Sequence, residues 1–159
     1  MNITLITVGR LKEKFFIDAA SEYLKRLTAY CNIEVKQIDA AKLPSNPTES
    51  EITLALKNES EKILKAIPKN ATIITMCVEG KQFSSEELSQ KLQEFKLCGE
   101  SNICFIIGGS YGILDEIKSM SKIKMSMSRM TFPHRLFQIM LLEQIYRAFK
   151  IEEGSNYHK

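Results

Sequence analysis

Apolar residues fall along this chain in two alternating rhythms. Residues 2–8, 72–78 and 102–107 form short, nearly unbroken runs rich in Ile, Val and Thr. Runs of this length and composition predict β-strands, and their continuity predicts strands covered on both faces, as in a parallel sheet. Ile33, Val35 and Ile38 alternate with polar neighbours, which predicts a further strand near the sheet's edge. Between these runs the apolar spacing changes to that of helices. Leu11, Phe15, Ala19, Ala20, Tyr23, Leu24 and Leu27 mark one face, Ile52, Leu56, Ile63 and Ile67 a second, and Leu88, Leu92 and Phe95 a third.

The punctuation agrees with this division. Thr48-x-x-Glu51 and Ser84-x-x-Glu87 read as capping boxes that open the second and third helices. Residues 41–47 form a loop, and Pro68-Lys69-Asn70 closes the second helix. Glu79-Gly80-Lys81 reads as a loop at the end of the third strand, and Gly99 suits the residue just past the third helix. A short helix at 115–120, a short strand at 123–126 and a long helix from Pro133 to about Glu152 complete the chain. Strands alternating with helices predict an α/β fold with a parallel sheet, in one domain spanning 1–159.

The last helix departs from ordinary amphipathicity. Leu136, Phe137, Ile139, Met140, Leu141, Leu142, Ile145, Tyr146, Ala148, Phe149 and Ile151 cover nearly its whole circumference. One apolar face can pack on the sheet. The other predicts a homodimer through this helix, or else a helix sandwiched within one subunit.

Composition narrows the class only a little. Of 159 residues, 44% are hydrophobic and 26% charged, which excludes disordered and fibrous classes. No apolar run reaches the ~20 residues of a membrane helix, and residues 2–8 lack the charged lead of a signal peptide, so a cytoplasmic protein is expected. Cys31, Cys77, Cys98 and Cys104 show no C-x-x-C pair, and with two histidines no metal-ligand spacing arises; buried free thiols and no metal are expected. The net charge of +3 is uneven: residues 122–159 hold seven Lys or Arg against three Glu, and Arg10, Lys12 and Lys14 follow the first strand. Such patches fit a polyanion such as nucleic acid, and equally a solvated surface.

The chemistry concentrates where the fourth apolar run meets Gly108-Gly109-Ser110-Tyr111-Gly112. Glycines at the C-terminal end of a strand let backbone approach a ligand, and that edge of a parallel sheet is where ligands bind. A phosphate-binding P-loop needs a Gly-Lys-Ser/Thr ending that Gly112-Ile113-Leu114 lacks. A dinucleotide fingerprint belongs after the first strand, and this loop follows the fourth. What remains is a ligand held by loop backbone, where three strand-end segments converge: 76–81, 108–112 and 127–132.

Several segments, in order, are similar to one bacterial family. They are Gly9-Arg10-Leu11-Lys12-Glu13-Lys14, Phe105-Ile106-Ile107-Gly108-Gly109-Ser110-x-Gly112, Thr131-Phe132-Pro133-His134, Leu142-Glu143-Gln144-Ile145-Tyr146-Arg147-Ala148 and Tyr157-His158-Lys159. The chain resembles the ribosomal RNA large subunit methyltransferase H family of the SPOUT class, from Met1 to Lys159. The resemblance implies a parallel-sheet SPOUT-type α/β fold with a C-terminal trefoil knot that binds S-adenosyl-L-methionine. It implies a homodimer with its active site at the subunit interface. The implied reaction is methylation of N3 of a pseudouridine in the intersubunit stem-loop of bacterial 23S rRNA, within the assembled ribosome.

Carried over position by position, the implied cofactor contacts are Met76, Gly108, Met127, Ser128, Arg129, Met130, Thr131 and Phe132. Met76 stands where the family usually has leucine, a swap that keeps volume and apolarity. The tail Tyr157, His158 and Lys159 is the implied catalytic segment. A histidine has the intrinsic pKa of a base, a tyrosine can stack on a nucleobase, and a lysine can steady an anion. His134 stands beside the cofactor segment as a further candidate. Arg10, Lys12, Lys14, Arg129 and Arg135 are candidates for rRNA phosphate contacts. Two other classes compete: a ribosome-binding factor that keeps the fold without catalysis, and a nucleotide-dependent oxidoreductase, which the missing first-strand fingerprint disfavours.

Overall fold

The computed structural model describes residues 1–158; Lys159, assigned above to the catalytic tail, lies outside them. Five strands form one sheet: β1 (Asn2–Val8), β2 (Asn32–Ile38), β3 (Thr72–Gln82), β4 (Asn102–Ile107) and β5 (Ile123–Ser126). Their order is β2-β1-β4-β3-β5, and every neighbouring pair is parallel. The half-polar β2 is an edge strand, as its alternation predicts. The expected parallel α/β architecture is therefore observed.

Helices cover both faces because successive strand side chains point to opposite sides. Ile3 and Leu5 of β1, with Ile103, Phe105 and Ile107 of β4, join one core with α1 (Lys14–Leu27), α3 (Ser85–Leu97) and α5 (His134–Glu152). Ile6, Val8, Cys104 and Ile106 join the other core, with Ile63 of α2 (Glu49–Ala66) and Ile117 of α4 (Asp115–Met120). Both predicted capping boxes are present: the Thr48 and Ser84 hydroxyls accept from the backbone N–H groups of Glu51 and Glu87, whose carboxylates accept in return. Burial pushes the thiols of Cys31 and Cys104 up to about 11 and about 12, as inert core thiols require. Cys77 and Cys98 depart from the expected burial: Cys77 is half-buried in β3, and Cys98, just past α3, is exposed.

One element differs from the sequence expectation. β3 does not end at Val78; it continues to Gln82, and residues 79–81 are not a simple loop. Both Met76 and Lys81 pair with Met125, so the residues between them bulge out of the ladder. The strand resumes past Gly80, where the backbone of Lys124 and Met125 passes so close that a Cβ would lie 2.6 Å from the Met125 carbonyl carbon. A periodicity of two cannot register such a bulge, because the residues inside it face neither side of the sheet.

α5 lies on the sheet between α1 and α3. Leu141, Leu142, Ile145 and Ala148 are buried there, while Phe137, Ile139, Met140 and Tyr146 are half-buried and Leu136 is 37% exposed. The helix is thus sandwiched within the chain along its C-terminal half, while an apolar strip at its N-terminal half remains accessible. Past α5, residues Asn156–His158 form a single 3-10 turn.

Candidate active site

The C-terminal edges of β3, β4 and β5 surround a cavity of about 770 Å³. That lies within the range of small-molecule sites. All three converging segments expected from the sequence contribute to its wall.

The glycine loop forms the floor. Just past β4 it folds back on itself through a bridge between Gly109 and Gly112, with the Gly112 N–H donating to the Gly109 carbonyl at 3.0 Å. Gly108 is buried beneath this turn, and a Cβ there would sit 2.6 Å from the Gly112 carbonyl carbon and 2.7 Å from Ile113 Cγ1. Gly112 differs: its φ of +85° needs glycine's freedom, but the space around it is open. Two glycines of one loop are thus required for different reasons, one steric and one conformational.

The segment after β5 forms the opposite wall. Met127, Ser128, Met130, Thr131 and Phe132 line the cavity. Hydroxyls hold the segment in shape: Ser126 Oγ donates to the Ser128 carbonyl at 3.0 Å, and Ser128 Oγ accepts from the Met130 N–H at 3.0 Å. Arg129, expected with its neighbours, is exposed and does not line the cavity. Met76 closes the β3 side, buried to 6%, joined by Cys77, Val78 and Glu79 from the bulge.

Among the lining side chains, formal charge comes from two. Lys118 of α4 donates to Glu79 Oε1 at 2.5 Å. The Lys118 bond and then Glu79's own backbone N–H hold this carboxyl below its ordinary value, and Glu79 raises Lys118 in return. His134, at the start of α5, also faces the cavity. Burial, reinforced by the Arg135 charge, holds its pKa below the ordinary value, so the ring is neutral at neutral pH. Glu79 stands where the apolar run of β3 stops, a place the sequence makes visible. Lys118 does not: one lysine in Asp-Glu-Ile-Lys-Ser-Met looks like any solvated helix position.

Tyr157 and His158 do not line this cavity. Tyr157 packs edge-on against Tyr146, with ring centroids 5.1 Å apart, beneath the Arg147 guanidinium at 4.8 Å. Its hydroxyl donates to Glu143 Oε1 at 3.3 Å, the oxygen that Arg147 also engages at 2.5 Å. His158 Nε2 lies 2.6 Å from Glu86 Oε1 on α3, a contact that takes the Glu86 carboxyl down to about 2. Tyr157 and His158 dock on α5 and α3, away from the pocket of their own chain. Near the N-termini of α1 and α5, Arg135 pairs with Glu13, yet Glu13 Oε2 and Arg135 Nε are buried without partners.

Among the described residues no helix is long and apolar enough to cross a membrane, and no group of three His, Cys, Asp or Glu is placed to hold a metal ion.

Comparison with known proteins meets this geometry. A family model described as "Predicted SPOUT methyltransferase" matches residues 1–158. The chain is 47% identical over 159 residues, and over the full length of both proteins, to a ribosomal RNA large subunit methyltransferase H of Clostridium acetobutylicum. Proteins of the same name from Leuconostoc mesenteroides and Clostridioides difficile are 46% and 42% identical, again across both full lengths. Among solved structures, a methylase family protein of Haemophilus influenzae aligns with a TM-score of 0.56 at 13% identity, covering 99% of this chain and 70% of that one. A methyltransferase of Bordetella pertussis aligns at 0.55 and 10% identity, covering 92% and 95%. At such identities the solved structures speak for the fold alone. The matched model over residues 1–158 and the relatives at 42–47% identity over both full lengths go further: this chain belongs to the SPOUT methyltransferase family.

Proposed function

We propose that this methyltransferase moves a methyl group from S-adenosyl-L-methionine to N3 of a pseudouridine in the intersubunit stem-loop of bacterial 23S rRNA. It acts as a homodimer on the assembled ribosome, with residues 1–159 serving as one domain. The observation that carries the reading is the cavity at the ends of β3, β4 and β5, floored by the Gly108 turn and walled by the segment from Met127 to Phe132. A chain of this family with that cavity has a place for an adenosyl group: loop backbone for its polar edges, and Met76, Ile107 and Phe132 for its apolar surface.

The bound cofactor supplies an electrophilic methyl on a sulfonium. The protein's own task is then to position, to exclude water and to take up a proton. Positioning in near-attack geometry is a large source of rate, and the 126–130 turn, held by its own hydroxyl bonds, suits it. The acceptor N3 carries a proton that must leave. His134, neutral at the cavity wall, is placed to accept it. Tyr157, His158 and Lys159 complete the site from the partner subunit. Half-buried Phe137, Ile139 and Met140, with exposed Leu136, supply the apolar strip for that dimer. Arg10, Lys12, Lys14, Arg129 and Arg135 contribute phosphate contacts, which orient rRNA without reading its sequence. The modest charge of +3 fits a partner that provides shape through the folded ribosome. The reading includes a knotted C-terminus, consistent with the close passage of the Lys124–Met125 backbone over Gly80.

Transfer of labelled methyl from S-adenosyl-L-methionine tests the proposal. Assembled ribosomes, isolated large subunits and naked rRNA from cells lacking the modification are the substrates. Label in 23S rRNA, strongest with assembled ribosomes, is expected. No label on any of them from a folded dimer refutes methyl transfer and favours a ribosome-binding factor.

A further inference from the structure

The cavity wall is apolar or backbone along most of its extent, and its two formal charges sit together. Glu79 and Lys118 form an ion pair at 2.5 Å, with Lys118 only 19% exposed along its side chain and Glu79 57% exposed. A second carboxylate, Asp115, reaches the same ammonium at 3.6 Å. Neither charged residue belongs to the implied cofactor contacts, and an ion pair on a ligand-cavity wall needs an account.

We propose that Glu79 accepts the ribose hydroxyls of the adenosyl ligand and that Lys118 is the positioning residue that orients its carboxylate. This rests on the cofactor reading above. The argument is one of charge. An adenosylated amino acid offers two groups that donate to a carboxylate: its α-ammonium and its vicinal ribose diol. A lone carboxylate favours the ammonium. Here Lys118 sits directly on Glu79, whereas Asp115, farther from the ammonium at 3.6 Å and fully exposed, is screened by water, so the nearest charge a second cation would meet at Glu79 is the repelling Lys118 ammonium. A neutral diol meets no such penalty, yet still gains from an ionised acceptor. The carboxylate has room for it, because Lys118 occupies only Oε1. Position agrees: Glu79 projects from the bulge that follows Met76, beyond the ladder and on the cavity wall. Lys118 is held in turn at the far end of β3, where Thr75 Oγ1 and Ser121 Oγ lie 2.9 Å apart and tie α4 to the strand. The ionised state of Glu79, maintained chiefly by Lys118, keeps it an acceptor across the physiological range.

Calorimetric titration of the full chain tests this, with S-adenosylhomocysteine and its 2′,3′-dideoxyribose analogue as probes. A hydrogen bond to a charged group implies that wild-type protein binds the dideoxy analogue roughly tenfold to a hundredfold more weakly. Glu79→Ala should bind both probes alike, at the weaker affinity. Wild-type discrimination retained in Glu79→Ala overturns the assignment, as does a wild type that does not discriminate. A third probe lacking the α-amino group separates the alternatives: if Glu79→Ala erases discrimination against that probe instead, the carboxylate serves the ammonium and the proposal fails. The ligand-side comparison uses intact wild type, so a poorly folding variant does not remove the test. Lys118→Met should keep the diol discrimination near neutral pH but lose it at higher pH than wild type as the solution is acidified, because Glu79 returns toward an ordinary carboxyl. An unchanged pH profile removes Lys118 from the assignment. Failure of wild type to bind any adenosyl probe refutes the cofactor reading itself, and this assignment with it.

Discussion

Replacing Gly108 by alanine isolates what the glycine loop does. The added methyl group would lie 2.6 Å from the Gly112 carbonyl carbon and 2.7 Å from Ile113 Cγ1, where ordinary contact begins at 3.4 Å. The Gly112 carbonyl oxygen lies nearer still, so one side or the other must retreat by about 1 Å. Ile113 is buried to 6% in the core shared with Ile117 and Ile106, so it cannot swing away. The turn from Gly109 to Gly112 must move instead, and it is the floor of the cavity. Overpacking of this kind costs about 1–3 kcal/mol. For a chain of this size each kcal/mol lowers Tm by roughly 2–4 °C.

Gly112→Ala is the matched control. It places a methyl group in open space but forces φ of +85° on a residue with a Cβ, which costs about 1–2 kcal/mol without displacing the floor. The expected pattern has two parts. Both variants melt earlier than wild type in thermal unfolding, and in calorimetry only Gly108→Ala loses S-adenosylhomocysteine affinity, by about tenfold or more for an ill-fitting floor. A Gly108→Ala protein with wild-type Tm and wild-type affinity would refute the reasoning. Equal affinity losses in the two variants would show that the loop's conformation, rather than its close packing, shapes the pocket. A side chain at 108 thus meets the loop itself before it meets any ligand.

Thr48→Ala removes the hydroxyl that accepts from the Glu51 N–H at 3.3 Å and donates to the Glu51 carboxylate at 2.9 Å, leaving only the backbone N–H bond of residue 48 to that carboxylate; about 1 kcal/mol of stability should be lost, read as a Tm lower by roughly 2–4 °C. His134 gives a pH dependence of known sign. Its folded pKa lies below the ordinary 6.5, so the unfolded chain binds the proton more readily, and stability present above about pH 6.5 is lost as pH falls through the folded value. Thermal unfolding from pH 8 to 5 should show wild type losing more stability over that window than His134→Gln, and parallel curves would contradict the burial argument.

Most of the fold is legible in the chain because its strands carry local information. β1 and β4 are unbroken apolar runs since helices cover both faces, and β2 alternates since it is an edge. The capping boxes and the start of α5 are local too, and fall where their residues indicate. The glycine loop is legible as a tight turn at a strand end, because a close fold-back and a positive φ both call for glycine. What stays hidden is tertiary. Gly80 reads as a turn residue, yet it permits a crossing of two distant backbone segments. Lys118 looks like a surface lysine until the fold sets it against Glu79, 39 positions away. The tail's docking on Tyr146 and Glu86 depends on α3 and α5 already lying side by side, which no spacing within Asn156–His158 encodes.

That docking bears on how the proposed site is completed. His134 marks the cavity end of α5, and Tyr146, which holds Tyr157, lies twelve residues along the same helix. At 1.5 Å per residue the two are about 18 Å apart. In this position Tyr157 lies away from the pocket of its own chain, so either the tail acts in the partner's pocket of the proposed dimer, or it moves to serve its own, or it takes no part. Mixed dimers decide between these. Gly108→Ala impairs a pocket but leaves its tail, and deletion of residues 157–159 removes a tail but leaves its pocket. If tails act across the dimer, each mixed dimer has one complete site, made from the intact pocket of the shortened subunit and the tail of the other. Mixing equal amounts puts about half the dimers in the mixed form with one of two sites complete, so about a quarter of wild-type methylation should return. If each tail serves its own pocket, no mixed dimer has a complete site and activity stays at the level of the separate variants. Full activity in the shortened protein alone would make the ordered tail a structural clasp between α3 and α5, and leave proton removal to His134.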